Sequence, residues 1–458
     1  MNHNNDTICA ISTPHGTGGI AIARISGPEA ITNVSRIWRG AALNKVNSHS
    51  AHLGTILDSH GNPLDQAVAT VFRAPRSYTG EETIEISVHG SLWIQRELLA
   101  SLCAAGCRMA EPGEFTSRAF MNGRLALTEA EAVADMIAAS SRAAHRIAIN
   151  HLRGGFSRRL DSLRDQLLQL ASLIELELDF SEEEVEFASR VQLHKLAQEL
   201  HNELTRLSGS FSTGAAIRQG IPVAIIGATN AGKSSLLNAL VGDQRAIVSD
   251  IHGTTRDIVE DTAEIGDYLF RFLDTAGLRH TSDTIEQIGI ERSRQAARNA
   301  RIILLVCDAT TTPDPDATAT AAQNTDAHII LIANKSDLTP NGGCDFNAVA
   351  DRLGAKIINI STLTGEGISE LRDALVSAID SENTSGSDLL VTNARHAQSL
   401  SEAADSISRV ISGLDSGLSG DFIAQDIRQT IHALNELSGQ ITTPDILQNI
   451  FTRFCIGK

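Results

Sequence analysis

Residues 222–240 read PVAIIGATNAGKSSLLNAL, and the fold is decided here. The run Pro222 to Ile226 is solidly apolar rather than alternating, as a strand is when helices cover both faces of a parallel sheet. GATNAGKS, Gly227 to Ser234, follows at once and fits G-x-x-x-x-G-K-[ST]. A helical pattern comes next, so the motif lies between a strand and a helix, the context it requires. In such a loop backbone N–H groups and the helix N-terminus face phosphates, Lys233 neutralises the β and γ oxygens, and the Ser234 hydroxyl is placed for Mg²⁺.

Outward from this loop, the apolar runs Leu269 to Leu273, Ile302 to Cys307, Ile329 to Ala333 and Ile357 to Ile360 alternate with helix-like stretches. They predict an α/β domain with a mostly parallel sheet over 219–383. Asp274-Thr275-Ala276-Gly277 follows a strand, where a carboxylate reaches the Mg²⁺ shell and a glycine N–H faces the γ-phosphate. Thr254 and Thr255 lie earlier in a loop rich in Gly and Asp, the place for a threonine that closes on the metal. Asn334-Lys335-Ser336-Asp337 ends another strand. Its Asp337 can accept from both N1–H and N2–H₂ of guanine, a pair that adenine lacks, so GTP is expected rather than ATP. Ser361, Thr362 and Leu363 would add backbone contacts to the guanine oxygen. Many GTPases orient the attacking water with a glutamine just after this glycine, but Gly277 is followed by Leu278. The water-positioning group and the neutralising charge must come from elsewhere: Glu286 and a bound monovalent cation are the candidates. From the residues alone Glu286 also reads as a solvated acid at a helix start beside Asp283.

On either side the composition changes. Residues 121–218 read as long helices, with Leu160, Leu163, Leu167, Leu170 and Ile174 forming one apolar stripe. Residues 384–458 read as helical again, broken by the Gly/Ser stretch from Ser412 to Gly420, and 210–221 has loop composition. One helical domain in two pieces, with the α/β domain inserted between them, is the economical arrangement. Residues 1–120 mix short β-like runs with Gly and Pro turns and predict a small α+β domain. The low-complexity stretch 310–327 is expected as a surface loop.

Acidic residues outnumber basic ones, 55 to 38, for a net charge of -17. A surface built throughout to coat nucleic acid is thereby excluded, and any RNA contact must be local. Arg142, Arg146, Arg153, Arg158, Arg159 and Arg164 could form such a local stripe or simply a solvated helix face. No apolar run approaches the roughly 18 residues of a membrane span. No secretory leader is visible, and the cysteines lack a CxxC pair; a cytoplasmic protein with no membrane association is expected.

Four segments outside the nucleotide motifs carry a further resemblance: DTICAISTPHGTGGIAIARISG at 6–27, SYTGEETIEISVHG at 77–90, EPGEFTSRAFMNGRL at 111–125 and the terminal FCIGK. With these, the chain resembles the MnmE (TrmE) family of tRNA modification GTPases, within the TrmE-Era-EngA-YihA-Septin-like P-loop GTPases. The resemblance implies a homodimer that works with the FAD protein MnmG to place an aminomethyl or carboxymethylaminomethyl group on C5 of the tRNA wobble uridine. It implies an N-terminal domain that serves dimerisation and binds the tetrahydrofolate derivative donating the one-carbon unit, through Arg24, Glu81, Arg124 and Lys458. It places GTP on Asn230, Ala231, Gly232, Lys233, Ser234 and Ser235, on Ser249, Asp250, Ile251, His252, Gly253, Thr254 and Thr255, and on the two later motifs. It further implies K⁺ on Asn230, Ser249, Ile251 and Thr254, Mg²⁺ on Ser234 and Thr255, and Glu286 on the attacking water. Cys455, flanked by Arg453 and Lys458, could act as a nucleophile or acid at the folate pocket or be a small buried residue. The chain departs from the family's pattern at Thr229, at His15-Gly16-Thr17, at Arg124 and at Leu363. An Era-like GTPase that docks on ribosomal RNA without modification chemistry is the competing reading, but the basic appendage it calls for is missing after the nucleotide domain.

Overall fold

The computed structural model describes residues 6–179, 190–242, 261–273, 294–339, 343–382, 389–441, 443–452, 454 and 456–457. By contact the chain divides into two units, one comprising Met1–Ala134, His151–Ala197 and Arg409–Lys458, the other Asp135–Asn150 and Gln198–Ser408.

The first unit opens with β1 (Ile8–Ile11), β2 (Gly18–Ser26), α1 (Ala30–Arg36), β3 (Trp38–Gly40), β4 (Ser50–Leu57), β5 (Pro63–Phe72), β6 (Thr83–Gly90), α2 (Leu92–Ala104), β7 (Arg108–Met109) and α3 (Glu114–Met121). The strands make one seven-stranded sheet in the order β3-β4-β5-β6-β2-β1-β7, antiparallel except for the β1–β7 pair. Alternation in β2 sends Ala21, Ala23 and Ile25 into a core with Ile84, Ile86, Leu98 and Leu102. On the other face Ile8 and Ala10 pack with Phe115 and Tyr78.

Helices α4 (Leu127–Ala138), α5 (Arg142–Leu152), α6 (Gly155–Asp179), α7 (Arg190–Gly209) and α8 (Phe211–Gln219) follow. The predicted stripe on α6 is buried: Leu160, Leu163, Leu167, Leu170 and Ile174 are at most 2% exposed. The segment 210–221, expected as a loop, is instead helical in α8. Thr213 and Ile217, four residues apart, bury one face, and Gly214 lets the Val391 carbonyl approach so closely that a Cβ would lie 2.2 Å from its oxygen.

In the second unit β8 (Ile221–Gly227), α9 (Lys233–Val241), β9 (Asp261–Ile265), β10 (Tyr268–Phe272), β11 (Ile302–Asp308), α10 (Pro315–Ala321), β12 (His328–Asn334), α11 (Asn347–Leu353), β13 (Lys356–Asn359) and α12 (Ile368–Glu382) build a six-stranded sheet. Its order is β13-β12-β11-β8-β10-β9, parallel except for the β9–β10 pair. All five strands read from the sequence are present. One core buries Val223, Leu304, Ile332 and Leu371 and the other Ala224, Ile303, Leu305 and Leu331, so both faces are covered, as the solid runs require. The low-complexity stretch is not wholly loop. Asp314 Oδ1 accepts from the Asp316 N–H and caps α10, which opens on Pro315 and buries Ala317 and Ala321.

The chain closes with α13 (Ala394–Ser416), α14 (Gly420–Ser438) and α15 (Pro444–Phe451). The Gly/Ser break is shorter than expected, because α13 continues through Ser412 and only 417–419 separate it from α14. Within the first unit α14 runs along α6, and Arg428 pairs with Glu175 at 2.9 Å.

Candidate functional site

Strand β8 delivers its chain into the loop Gly227–Lys233 at the C-terminal edge of the sheet. Three positive φ values shape this loop: Gly227 (156°), Asn230 (65°) and Gly232 (100°). Gly227 cannot carry a side chain, since its Cβ would sit 2.1 Å from the Val306 carbonyl oxygen. Lys233 starts α9 and folds back on the loop, its Nζ donating to the carbonyls of Gly227 and Ala228, both at 2.8 Å. Burial lowers its pKa, with Asp314 pulling the other way. Ala231 is buried, while Asn230, Ser234 and Ser235 are exposed at the loop and the helix start.

Two further loops converge on this one. Asn334, at the end of β12 and fully buried, donates from Nδ2 to the Ala231 carbonyl at 2.9 Å and accepts from the Thr362 N–H at 3.2 Å on Oδ1. One amide thus ties the phosphate-type loop to the segment after β13. Gly232 makes room for it, because a Cβ there would meet Asn334 Nδ2 at 2.1 Å. Ser361, also fully buried, donates to Asp337 Oδ1 at 2.6 Å and fixes that carboxylate. Lys335, at φ 67°, extends its ammonium to Asp308 Oδ2 at 2.5 Å. Leu363 is 85% exposed. Asp308 was missed in the sequence, although its place at the end of β11, in register with Asn334, is a signal that could have found it. The structure therefore brings Ala231, Gly232, Lys233, Asn334, Lys335, Asp337, Ser361 and Thr362 to one corner, with Asn230, Ser234, Ser235 and Leu363 beside it. Ser249, Asp250, Ile251, His252, Gly253, Thr254, Thr255, Asp274, Thr275, Ala276, Gly277 and Glu286 lie outside the described residues.

The first unit holds a second cluster. Arg24 pairs with Glu85 at 2.8 Å and lies over the rings of Tyr78 and Phe115, 5.0 and 5.8 Å from their centroids. Glu81 Oε2 accepts from Ser26 Oγ at 2.7 Å. The Arg124 stem flanks Gly80, whose Cβ would be 3.1 Å from Arg124 Cγ. Gly457 lies beside the end of β1, and Ser12 Oγ, just past that strand, donates to its carbonyl at 3.0 Å. Cys455 and Lys458 lie outside the described residues. Arg118, buried between Asp6, Glu81 and Glu114, was also missed, since a lone arginine in a helical stretch reads as surface charge.

A glycine-rich loop between a strand and a helix, on a mostly parallel sheet, defines the fold of a P-loop nucleotide-binding domain. The chain matches the family described as MnmE helical domain over residues 127–455 and that described as GTP-binding protein TrmE N-terminus over 7–124. A protein of Parabacteroides distasonis named tRNA modification GTPase MnmE is 49% identical over 99% of this chain and 100% of its own. Its namesake in Bacteroides fragilis (strain ATCC 25285) is 47% identical over 99% and 100%. Among solved structures, the G domain of the T. maritima FeoB iron transporter is 25% identical and covers 34% of this chain and 98% of its own, with a TM-score of 0.26. The chain belongs to the MnmE family of tRNA modification GTPases. Among the described residues no helix is long and apolar enough to cross a membrane.

Proposed function

We propose that this protein is a potassium-stimulated GTPase of the cytoplasm that acts as a homodimer with an FAD-dependent partner of the MnmG type. Together they add an aminomethyl or carboxymethylaminomethyl group to C5 of the wobble uridine of tRNA, with the one-carbon unit drawn from a tetrahydrofolate derivative. The observation that supports this reading best is the near-complete match, 49% identity over 99% of the chain, to a protein named tRNA modification GTPase MnmE.

The nucleotide corner fits guanine nucleotide. Asp337, held by Ser361, accepts the guanine N–H edge; Asn334 keeps the loops around the base in place; the loop from Asn230 to Ser235 wraps the phosphates. When bound, Mg²⁺ on Ser234 and Thr255, and K⁺ on Asn230, Ser249, Ile251 and Thr254, supply the positive charge that phosphoryl transfer calls for. Ser249 to Thr255 and Asp274 to Gly277 supply the other nucleotide contacts, and Glu286 orients the attacking water. In the first unit Arg24, Glu81, Arg124 and Lys458 hold the folate, with Cys455 beside them. Arg24, already stacked on Tyr78 and Phe115, supports that assignment: an aromatic-backed guanidinium suits a flat heterocycle or its carboxylate tail.

Hydrolysis measured against KCl at constant ionic strength, with NaCl as the replacement salt, tests the cation. The rate should rise steeply in K⁺ and collapse in Glu286→Ala with GTP binding retained; equal rates in the two salts would refute it. Wobble uridines isolated from a deletion strain test the modification and should lack the C5 group.

A further inference from the structure

The surroundings of Glu81 contain more than the folate assignment uses. Ser26 Oγ donates to Oε2 at 2.7 Å, and Arg118 Nη1 lies 3.4 Å from Oε1 and 3.5 Å from Oε2. Arg118 comes from α3, and its side chain is 7% exposed. Its Nη2 donates to Asp6 Oδ1 at 2.5 Å and to Glu114 Oε1 at 2.9 Å, and Nη1 also donates to the Asp6 carbonyl at 2.9 Å. Arg108 closes the network on Asp6 Oδ2 at 2.7 Å and Glu114 Oε1 at 2.6 Å. Arg118 Nε is buried with no hydrogen-bond partner among the described residues.

Two guanidiniums therefore face three carboxylates, and they are not shared equally. Asp6 and Glu114 hold the short contacts; Glu81 is left with the long ones. Arg118 Nη1, near both Glu81 oxygens, attracts the carboxylate while the short Ser26 bond fixes one of its oxygens, and neither saturates it. Glu81 thus keeps acceptor capacity, on a side chain 17% exposed, for a donor that arrives from outside the network. The Ser26 hydroxyl is itself held by Thr79 at 2.6 Å, so this support is rigid as well.

We infer that Arg118 and Ser26 form a clamp that positions the Glu81 carboxylate to accept from the N–H edge of a heterocycle. This rests on the folate reading above, in which that edge belongs to the pterin. Neither clamp residue touches the ligand, so both act through Glu81.

The test is a double-mutant cycle on the full chain, with folinate, an air-stable reduced folate, as the probe and binding measured by calorimetry. Glu81→Gln should weaken binding by roughly 10- to 100-fold, in line with the loss of charge-assisted hydrogen bonds. Arg118→Lys keeps the charge but not the fork and should weaken binding about tenfold in the wild-type background. In the Glu81→Gln background it should change binding less than about twofold. Additive losses, or wild-type binding by Arg118→Lys, would overturn the clamp while leaving the folate site standing. A wild-type chain that does not bind folinate would instead overturn the folate reading and the clamp with it. Circular dichroism checks the fold of each variant. If Arg118→Lys does not fold, Ser26→Ala, which removes no charge, carries the same cycle and should show the same coupling to Glu81.

Discussion

Replacing Asn334 by alanine should cripple nucleotide binding without touching a single atom that faces the nucleotide's phosphates. The amide makes two hydrogen bonds, to the Ala231 carbonyl at 2.9 Å and from the Thr362 N–H at 3.2 Å. Ala231 is 2% exposed, so its carbonyl would be left buried without its donor. That costs about 1–3 kcal/mol, whereas the half-buried Thr362 N–H can turn to water and loses only the net value of a bond, about 1 kcal/mol. Together the loss is about 2–4 kcal/mol, placed on the arrangement of loops that binds. If only that arrangement binds, its smaller population lowers affinity in proportion, by roughly 30- to 700-fold at 1.4 kcal/mol per tenfold. Titration with a fluorescent guanine nucleotide measures it. A change of less than about threefold in a folded variant would mean that Asn334 does not hold these loops, and the reasoning would be wrong. Ser336→Ala is the neighbouring control: its Oγ is buried with no hydrogen-bond partner among the described residues, so removal should shift stability by no more than about 0.5 kcal/mol.

Three further outcomes follow from the geometry. Gly227→Ala should destabilise the nucleotide domain by roughly 1–3 kcal/mol or more, because its Cβ would press on the Val306 carbonyl; thermal unfolding with and without nucleotide reads the loss. Leu167→Ala, in the fully buried stripe of α6, should cost about 2–5 kcal/mol of stability, and a cost under 1 kcal/mol would argue against a packed stripe. Burial would raise the carboxyl pKa values of Asp6 and Glu114, but hydrogen bonds and charge from Arg108 and Arg118 hold them below their ordinary 3.8 and 4.5. Depressed folded-state values add stability that is fully present above the unfolded values and is lost as pH falls through the folded ones. Melting temperature should therefore be insensitive to these two groups above about pH 5 and fall below about pH 4, less steeply in Asp6→Asn; equal slopes would refute the assignment.

The nucleotide domain was largely legible because burial on both faces turns a strand into an unbroken apolar word. Ile302–Asp308 and His328–Asn334 are such words, and each ends on a polar residue of the site. Asp261–Ile265 escaped notice since an edge strand, DTAEI, is half polar and has no run to find. In the first unit β4 and β5 are hard to read for a related reason: SAHLGTIL and PLDQAVATVF are partly exposed on one face, so their apolar residues are diluted. The site's motif residues could be read from spacing, yet the groups that hold them could not. Asp308 under Lys335, and Arg118 behind Glu81, are joined by pairings across 27 and 37 positions that no local pattern announces. Helix α8 was hidden by small and polar residues; its register rests on the burial of Thr213 and Ile217 and on the Gly214–Val391 approach, both tertiary contacts.

The amide of Asn334 has one more implication. On the reading proposed here, it rivets the part of the pocket that recognises the base. GTP and GDP present the same guanine to that corner and differ only at the far end of the phosphate chain. The riveted corner can therefore tell guanine from adenine but is blind to whether the third phosphate is present, and any on–off signal this protein sends must originate elsewhere in the domain.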